Sequence, residues 1–266
     1  MRQVEPWERA AVEHLRNGRS SEALELYGRQ GRLHIRHSEA EARDALVGDW
    51  WAAGGDAVMI ARQRVTVAEL NAAARERMRQ AGRLGPEELE IPTGRFAVGD
   101  RVVIRRNDPE RGVSNGDRAT VVAVEPRRLR LTIESRGRQI ELGASFLLRR
   151  TREGEPPLAL GYAMTCHVAQ GMTVDRAFVL ADGGLCREWG YTALTRGRAA
   201  NHLYVGTDRP LEREEFAPAE RTEFRRSAIE ALEALLARSE AEPLALDVGR
   251  PIERAHMRST GREIGL

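Results

Sequence analysis

An α/β fold with a parallel sheet, interrupted by a small β-barrel and followed by a helical tail, is what three features of this 266-residue sequence predict. Helix-like and strand-like patterns alternate over residues 1–91 and resume after residue 152. Between them, short alternating segments with turn signals run from Phe96 to about Arg150. One long helical pattern, ERTEFRRSAIEALEALLARS, lies beyond Pro210. The expected units are therefore 1–91 and 153–210 for the α/β part, 92–152 for the inserted barrel, and 211–266 for the tail.

The elements follow in order. EPWERAAVEHLRNG reads as a helix with Trp7, Ala11, Val12 and Leu15 on one face, ended by Gly18. SSEALELYGRQG repeats the pattern, with Ser20 or Ser21 as cap and Gly28 as the stop. RLHIR reads as a short strand, and SEAEARDALVGDWWAAG as a helix capped by Ser38. The apolar run Asp56–Ala61 suits a buried parallel strand. TVAELNAAARERMRQAG is a helix with Arg64 or Thr66 near its start and Gly82 at its end. FAVGDRVVIRR, SNGDRATVVAVE, RLRLTIES and RQIELGASFLLRR supply the barrel strands, with Asn115-Gly116 as a turn signal. After the linker REGEPP, LALGYAM and RAFVL read as strands around the short helical segment CHVAQG. CREWGYTALTRGR reads as a helix and NHLYVG as the closing strand. The polar, proline-broken end of the chain reads as a partly disordered or truncated tail.

Composition excludes several classes. No apolar run is long enough to span a bilayer, and MRQVEPWERA lacks the apolar core of a signal peptide, so a cytoplasmic protein without membrane contact is expected. Cys166 and Cys186 form no CxxC pattern, so no metal site is expected. The net charge is only +2, although 31% of residues are charged. The chain has no lysine, and a phosphate-binding P-loop requires one, so no P-loop lies within it. The barrel segment is rich in arginine, which suits either a nucleic-acid surface or ordinary solvated strand faces.

Two segments concentrate chemistry. In TCHVAQGMTVD a strand ending at Thr165 would bring its hydroxyl to the carboxyl edge of the sheet, where such folds bind ligands. A helix starting at Cys166 would favour a phosphate there. His167 and Gln170 add hydrogen-bonding groups, and Gly171 permits close backbone approach. Each of these residues alone is more often structural. In GYTALTRGRAANHLYV, Arg196 could stabilise a transferring phosphoryl group or could simply complement a helix dipole. Spacing does not choose between them.

YAMTCHVAQGMTVDRAFVL followed by EWGYTALTRGRAANHLYV resembles the fifth and sixth conserved motifs of superfamily 1 DNA helicases. The patterns T-x-H-x-x-Q-G-x-T/S and Y-x-A-x-T-R match those of the RecD-like and conjugative-relaxase (TraA/TraI, MobF-type) branch position by position. VMIARQRVTVAELNAAAR is similar to a further block of that branch, and the likeness covers residues 1 to about 210. The resemblance implies a RecA-like second motor domain with an inserted Src-homology-3-like barrel. It implies that Arg2 and Arg196 reach the γ-phosphate of ATP, and that Gln3, Gly171 and Thr173 contact the nucleotide. Relatives often carry glutamate at the Thr173 position. Arg64, Thr66, Asn115, Thr165, His167 and Gln170 are the implied contacts to single-stranded DNA. ATP and Mg would bind only together with a P-loop motor domain, expected before Met1. The implied role is the C-terminal half of an ATP-dependent, 5′-to-3′ helicase in conjugation or repair. The alternative is a standalone, non-catalytic module that binds single-stranded DNA.

Overall fold

The computed structural model describes residues 3–92, 94–151, 154–183, 185–207 and 218–239. The α/β part begins with α1 (Pro6–Arg16), where Pro6 supplies a preset first turn, and α2 (Ser20–Arg29). Then come β1 (Leu33–Arg36), α3 (Glu39–Ala53), β2 (Ala57–Ala61) and α4 (Arg64–Gln80). Ser38 caps α3 as expected, its hydroxyl accepting from the Glu41 N–H at 3.1 Å. α2 differs from expectation. Its N-cap is Arg19, Ser20 lies inside the helix, and the helix passes through Gly28 to end before Gly31 at φ 64°.

The inserted unit contains the hairpin β3 (Glu88–Ile91) and β4 (Gly94–Ala97), then β5 (Arg101–Ile104), β6 (Arg118–Glu125), β7 (Arg130–Ser135) and β8 (Arg138–Leu142). It closes with α5 (Ala144–Leu147) and β9 (Leu158–Leu160). Strands β8-β7-β6-β5-β9 form one antiparallel sheet, and the hairpin packs with it around a shared core of Leu89, Phe96, Val102, Val121, Ile133 and Phe146. Two expected strands are broken. FAVGDRVVIRR splits at Gly99 (φ 92°), where a Cβ would lie 2.2 Å from the Arg83 carbonyl oxygen. RQIELGASFLLRR ends as helix α5.

The chain returns through β10 (Ala163–Thr165), β11 (Val174–Ala181), α6 (Arg187–Ala193), β12 (Gly197–Gly206) and α7 (Pro218–Ala237). LALGYAM is thus two strands in two sheets, not one. Gly161 divides them, because a Cβ there would lie 2.8 Å from the Val102 carbonyl carbon. The parallel sheet runs β1-β12-β11-β2-β10, so β12 is interior rather than an edge. Helices cover both faces. Val58, Ile60, Val179 and Leu203 meet α1, α2 and α7 on one side; Met59, Phe178 and Tyr204 meet α3 and α4 on the other. Burial on both faces explains why Ala57–Ala61 is continuously apolar. Among the described residues no helix is long and apolar enough to cross a membrane. The expected disorder of the tail falls on residues 240–266, which lie outside the described residues.

A polar latch fixes the insertion to the parallel sheet. Arg75 on α4 holds the fully buried Asp100 through Nε, with both oxygens at 3.0 Å, and reaches Glu88 at 3.0 Å. The Tyr162 hydroxyl donates to Asp100 at 2.8 Å, and the Ala97 N–H does so at 2.8 Å. One turn earlier on α4, the Asn71 amide donates to the Ala163 carbonyl and accepts from the N–H groups of Tyr162 and Ala163. A buried amide satisfied on both sides sets where β10 enters the sheet.

The strands β1, β11 and β12 carry a stack of rings. His34 lies on Tyr204 at 4.4 Å, His202 on Phe178 at 5.0 Å, and the two histidines are 3.1 Å apart between ring nitrogens. Burial, reinforced by Arg32 and His34, lowers His202 to a pKa of about 4 from 6.5, and burial lowers His34 too. The folded state therefore prefers neutral rings. Their contribution is complete above pH 6.5 and is lost as pH falls from there toward 4. Denaturant titrations at both ends of that window should show a loss of about 1–2 kcal/mol from His202, allowing for its partial exposure. His202→Gln should flatten the change.

Candidate functional site

The segment between β10 and β11 is the centre of the site. No regular helix starts at Cys166. Residues 166–171 form successive turns, held by Ala169 N–H to the Thr165 carbonyl at 3.0 Å and Met172 N–H to the Ala169 carbonyl at 3.0 Å. The expected helix-dipole contribution is therefore absent, and what reaches solvent is a compact loop. Gly171 has φ 85°, a conformation that a side chain disfavours, although its surroundings are open. His167, Gln170, Gly171 and Thr173 are exposed. Burial pushes the Cys166 thiol up to about 11, so it is protonated at neutral pH and is no nucleophile.

One face of this loop opens on a cavity of about 550 Å³ between the carboxyl edge of the parallel sheet and the insertion. Thr165, His167 and Arg64 line it, together with Arg62, Arg95, Arg105 and Glu155. Arg62 and Arg64 are set by the β2–α4 connection, where the buried Asp182 carboxylate accepts the N–H groups of Arg62 and Gln63 at 2.7 and 2.8 Å. A second cavity of about 460 Å³ shares Arg62, Thr165 and His167 and adds Gln170, Glu188 and Thr192. The open surface thus wraps around His167. Thr66 is buried and lines neither cavity. Asn115 also lies off both, its N–H donating to the Asn107 side chain at 2.7 Å. Its neighbour Gly116 meets the loop, 3.8 Å from the Val168 carbonyl oxygen by its absent Cβ.

Much of the arginine in the insertion is paired. Arg95, Arg111, Arg118, Arg128, Arg130 and Arg136 each face a carboxylate. The arginine count alone therefore overstates the positive surface, and the same holds at the cavity, where Arg64 and Arg105 face Glu155.

Arg196 lies on the other side of the loop. α6 ends at Ala193, earlier than expected, and Arg196 sits in the turn before β12. It is buried. Nε donates to the Thr192 carbonyl at 2.8 Å, Nη1 to the Ala169 and Met172 carbonyls at 3.3 and 3.4 Å, and Nη2 to the Thr195 hydroxyl at 2.7 Å. The guanidinium therefore ties α6 to the loop that carries His167 and Gly171. Gln3 is buried alongside, its amide donating to the Gly197 carbonyl at 3.4 Å. Arg2 lies outside the described residues.

A buried set behind Arg196 escaped the sequence reading. Glu8 accepts from the Asn201 N–H at 2.9 Å and from its amide at 3.0 Å, and Asn201 accepts from the Gly197 N–H at 2.7 Å. Burial raises the pKa of Glu8. The signal was present, since Glu8, Ala11, Val12 and Leu15 are spaced i, i+3, i+4, i+7. Periodicity places an acid on the core side of α1. α7 also bears on this region. Its end caps α6, with Arg187 N–H donating to the Arg238 carbonyl at 2.9 Å, and Leu236 lies 2.6 Å from where a Cβ on Gly190 would stand.

No family model matches the chain. It is 34% identical over 213 residues to the conjugal transfer protein TraA of Agrobacterium fabrum, covering 77% of this chain and 19% of that protein. It is 32% identical over 119 residues to the ATP-dependent DNA helicase Pif1 of Bdellovibrio bacteriovorus, across 41% of this chain and 26% of the relative. With the ATP-dependent RecD2 DNA helicase of Deinococcus radiodurans it shares 35% over 118 residues, 43% of this chain and 15% of the relative. Among solved structures, Bacteroides Pif1 bound to single-stranded DNA superposes with a TM-score of 0.52 at 19% identity, covering 88% of this chain and 56% of that one. That likeness is one of fold. The parallel sheet with its helices accordingly has the fold of a Pif1 helicase domain, and the sequence is similar to the Pif1 and RecD2 helicases over about two-fifths of the chain. More particularly, the chain is similar to the TraA conjugal transfer proteins along 77% of its own length, and spans about a fifth of theirs.

Proposed function

We propose that this domain is the second motor half of a superfamily 1 DNA translocase, in conjugation or repair, acting in the cytoplasm. The supporting observation is the loop from Thr165 to Thr173. One side of it borders a cavity lined by arginines, and the other is tied to a buried, oriented arginine. Single-stranded DNA would run along the cavity, its phosphates meeting Arg62, Arg64, Arg95 and Arg105, with Thr165, His167 and Gln170 at the strand. Thr66 would support the start of α4, and Asn115 the turn that abuts the loop. The inserted unit would serve as a Src-homology-3-like wall of the channel.

The nucleotide side fits ATP only in part. Arg196, Arg2, Gln3, Gly171 and Thr173 could meet its phosphates and sugar. No lysine is present, and no cluster of three or more acidic, cysteine or histidine side chains suited to magnesium occurs among the described residues. The nucleotide and its metal would be held by a P-loop half, in cis or in trans. This chain's task is to bring Arg196 to the negative charge developing there. A movement of the strand at His167 reaches Arg196 through the Ala169 and Met172 carbonyls, which couples the two sides.

A second reading, a non-catalytic DNA-binding module, is favoured by one fact: Arg196 already donates to three carbonyls and a hydroxyl of its own chain. Both readings require affinity for single strands. Anisotropy of a labelled oligonucleotide should show binding that weakens with salt, with a log–log slope of about −2 to −3 for three or four phosphates. Absence of binding at low salt would rule out both. Stimulated hydrolysis on adding a P-loop half separates the first from the second.

A further inference from the structure

Glu155 stands where a ligand phosphate should. Its carboxylate pairs with Arg64 and lies 3.7 Å from Nη2 of Arg105, inside the cavity. Its backbone is anchored to Thr151 and to β5. Thr151 N–H donates to the Glu155 carbonyl at 2.8 Å, and Glu155 N–H donates to the Thr151 hydroxyl at 3.0 Å. Arg105 N–H donates to the Pro157 carbonyl at 2.8 Å, fixing the same segment against β5. A carboxylate between two guanidinium groups reproduces the charge and acceptor geometry of a phosphate diester.

We infer that Glu155 is a built-in competitor for DNA phosphate, occupying the seat between Arg64 and Arg105 until a strand displaces it. The inference rests on the cavity being the strand-binding site. It has a physical rationale. Two arginines converging on an empty cavity repel, and the carboxylate holds them in place without a ligand. The Arg64 side chain is 74% exposed, so the pair is weak and easily exchanged. A polymer that brings several phosphates can exchange it; a single small anion gains little by doing so. Glu155 thereby sets a threshold for binding.

The test uses the full chain and a labelled oligo-dT of about 15 nucleotides, with site sizes of this order being usual for single-strand grooves. Glu155→Gln should tighten binding by roughly three- to tenfold at low salt and steepen the salt slope by about 0.7, because no displaced carboxylate takes up a cation when the phosphate binds. Glu155→Asp, which withdraws the carboxylate by one methylene, should fall between. Adding Arg64→Ala to Glu155→Gln should erase the gain. Glu141→Gln is the charge-matched control, since Glu141 pairs with Arg130 away from the cavity; it should change affinity less than twofold. Equal or weaker binding by Glu155→Gln, with the wild type binding normally, would overturn the competitor alone. So would an equal gain from Glu141→Gln. A wild-type chain without salt-sensitive affinity would overturn the cavity reading and the competitor together.

Discussion

Asp100→Ala should destabilise the protein by about 3–5 kcal/mol, the cost of removing one partner from a buried ion pair. Asp100 is fully buried and receives Arg75, the Tyr162 hydroxyl and the Ala97 N–H. Its removal leaves the largely buried Arg75 with only Glu88, which is itself shared with Arg79. The loss should also be local in its consequences. The latch holds the insertion on α4, and the same tyrosine starts the segment that leads into β10 and Thr165. Denaturant unfolding should show the lower midpoint. Affinity for single strands should fall even where the variant is folded, because the cavity lies between the two parts that the latch joins. Asp100→Asn keeps one acceptor, on which the Ala97 N–H can stay, and turns an amide N–H toward the Tyr162 oxygen, so it loses the charge and one acceptor but should cost less than alanine.

Arg196→Ala should have the largest functional effect. In a motor reconstituted with a P-loop half, hydrolysis should fall by about 10³ to 10⁵, the range that an arginine acting on the transferring phosphoryl group supplies. Arg196→Lys should not restore it. A lysine keeps the charge but cannot hold Thr192, Ala169, Met172 and Thr195 with one planar fork. Strand binding, measured without nucleotide, should change much less, since Arg196 lines neither cavity. A parallel loss of strand affinity and hydrolysis would instead assign Arg196 a purely structural role in holding the loop.

The fold was legible where periodicity speaks directly. Ala57–Ala61 had to be a strand buried on both faces, and Ser38 had to start a helix. What escaped depends on residues distant in sequence. LALGYAM is uniformly apolar, and nothing local says that Gly161 passes the chain from one sheet to another; the reason is the Val102 backbone beneath it. The same holds for the site. Thr165, His167 and Arg64 could be found from their motifs, and the cavity does bring them together. Arg62, Arg95, Arg105 and Glu155 carry no local signature and meet only through the insertion. Asn71 and Arg75 lie in a recognisable block, AELNAAAR, yet only the structure gives their reason, which is to hold β10 and Asp100. Glu8 shows the opposite case, a buried acid that the α1 periodicity marks and that a search for catalytic patterns passes over.

The measurement that bears most directly on a divided motor is phosphate release from ATP in the presence of single-stranded DNA. It should be made with the 266-residue chain alone and again after adding a separately purified P-loop half from a TraA-type relative. The expected result is background release from the chain alone and DNA-stimulated turnover from the mixture, lost with Arg196→Ala. Turnover by the chain alone, or none from a mixture whose two halves bind one another, would contradict it.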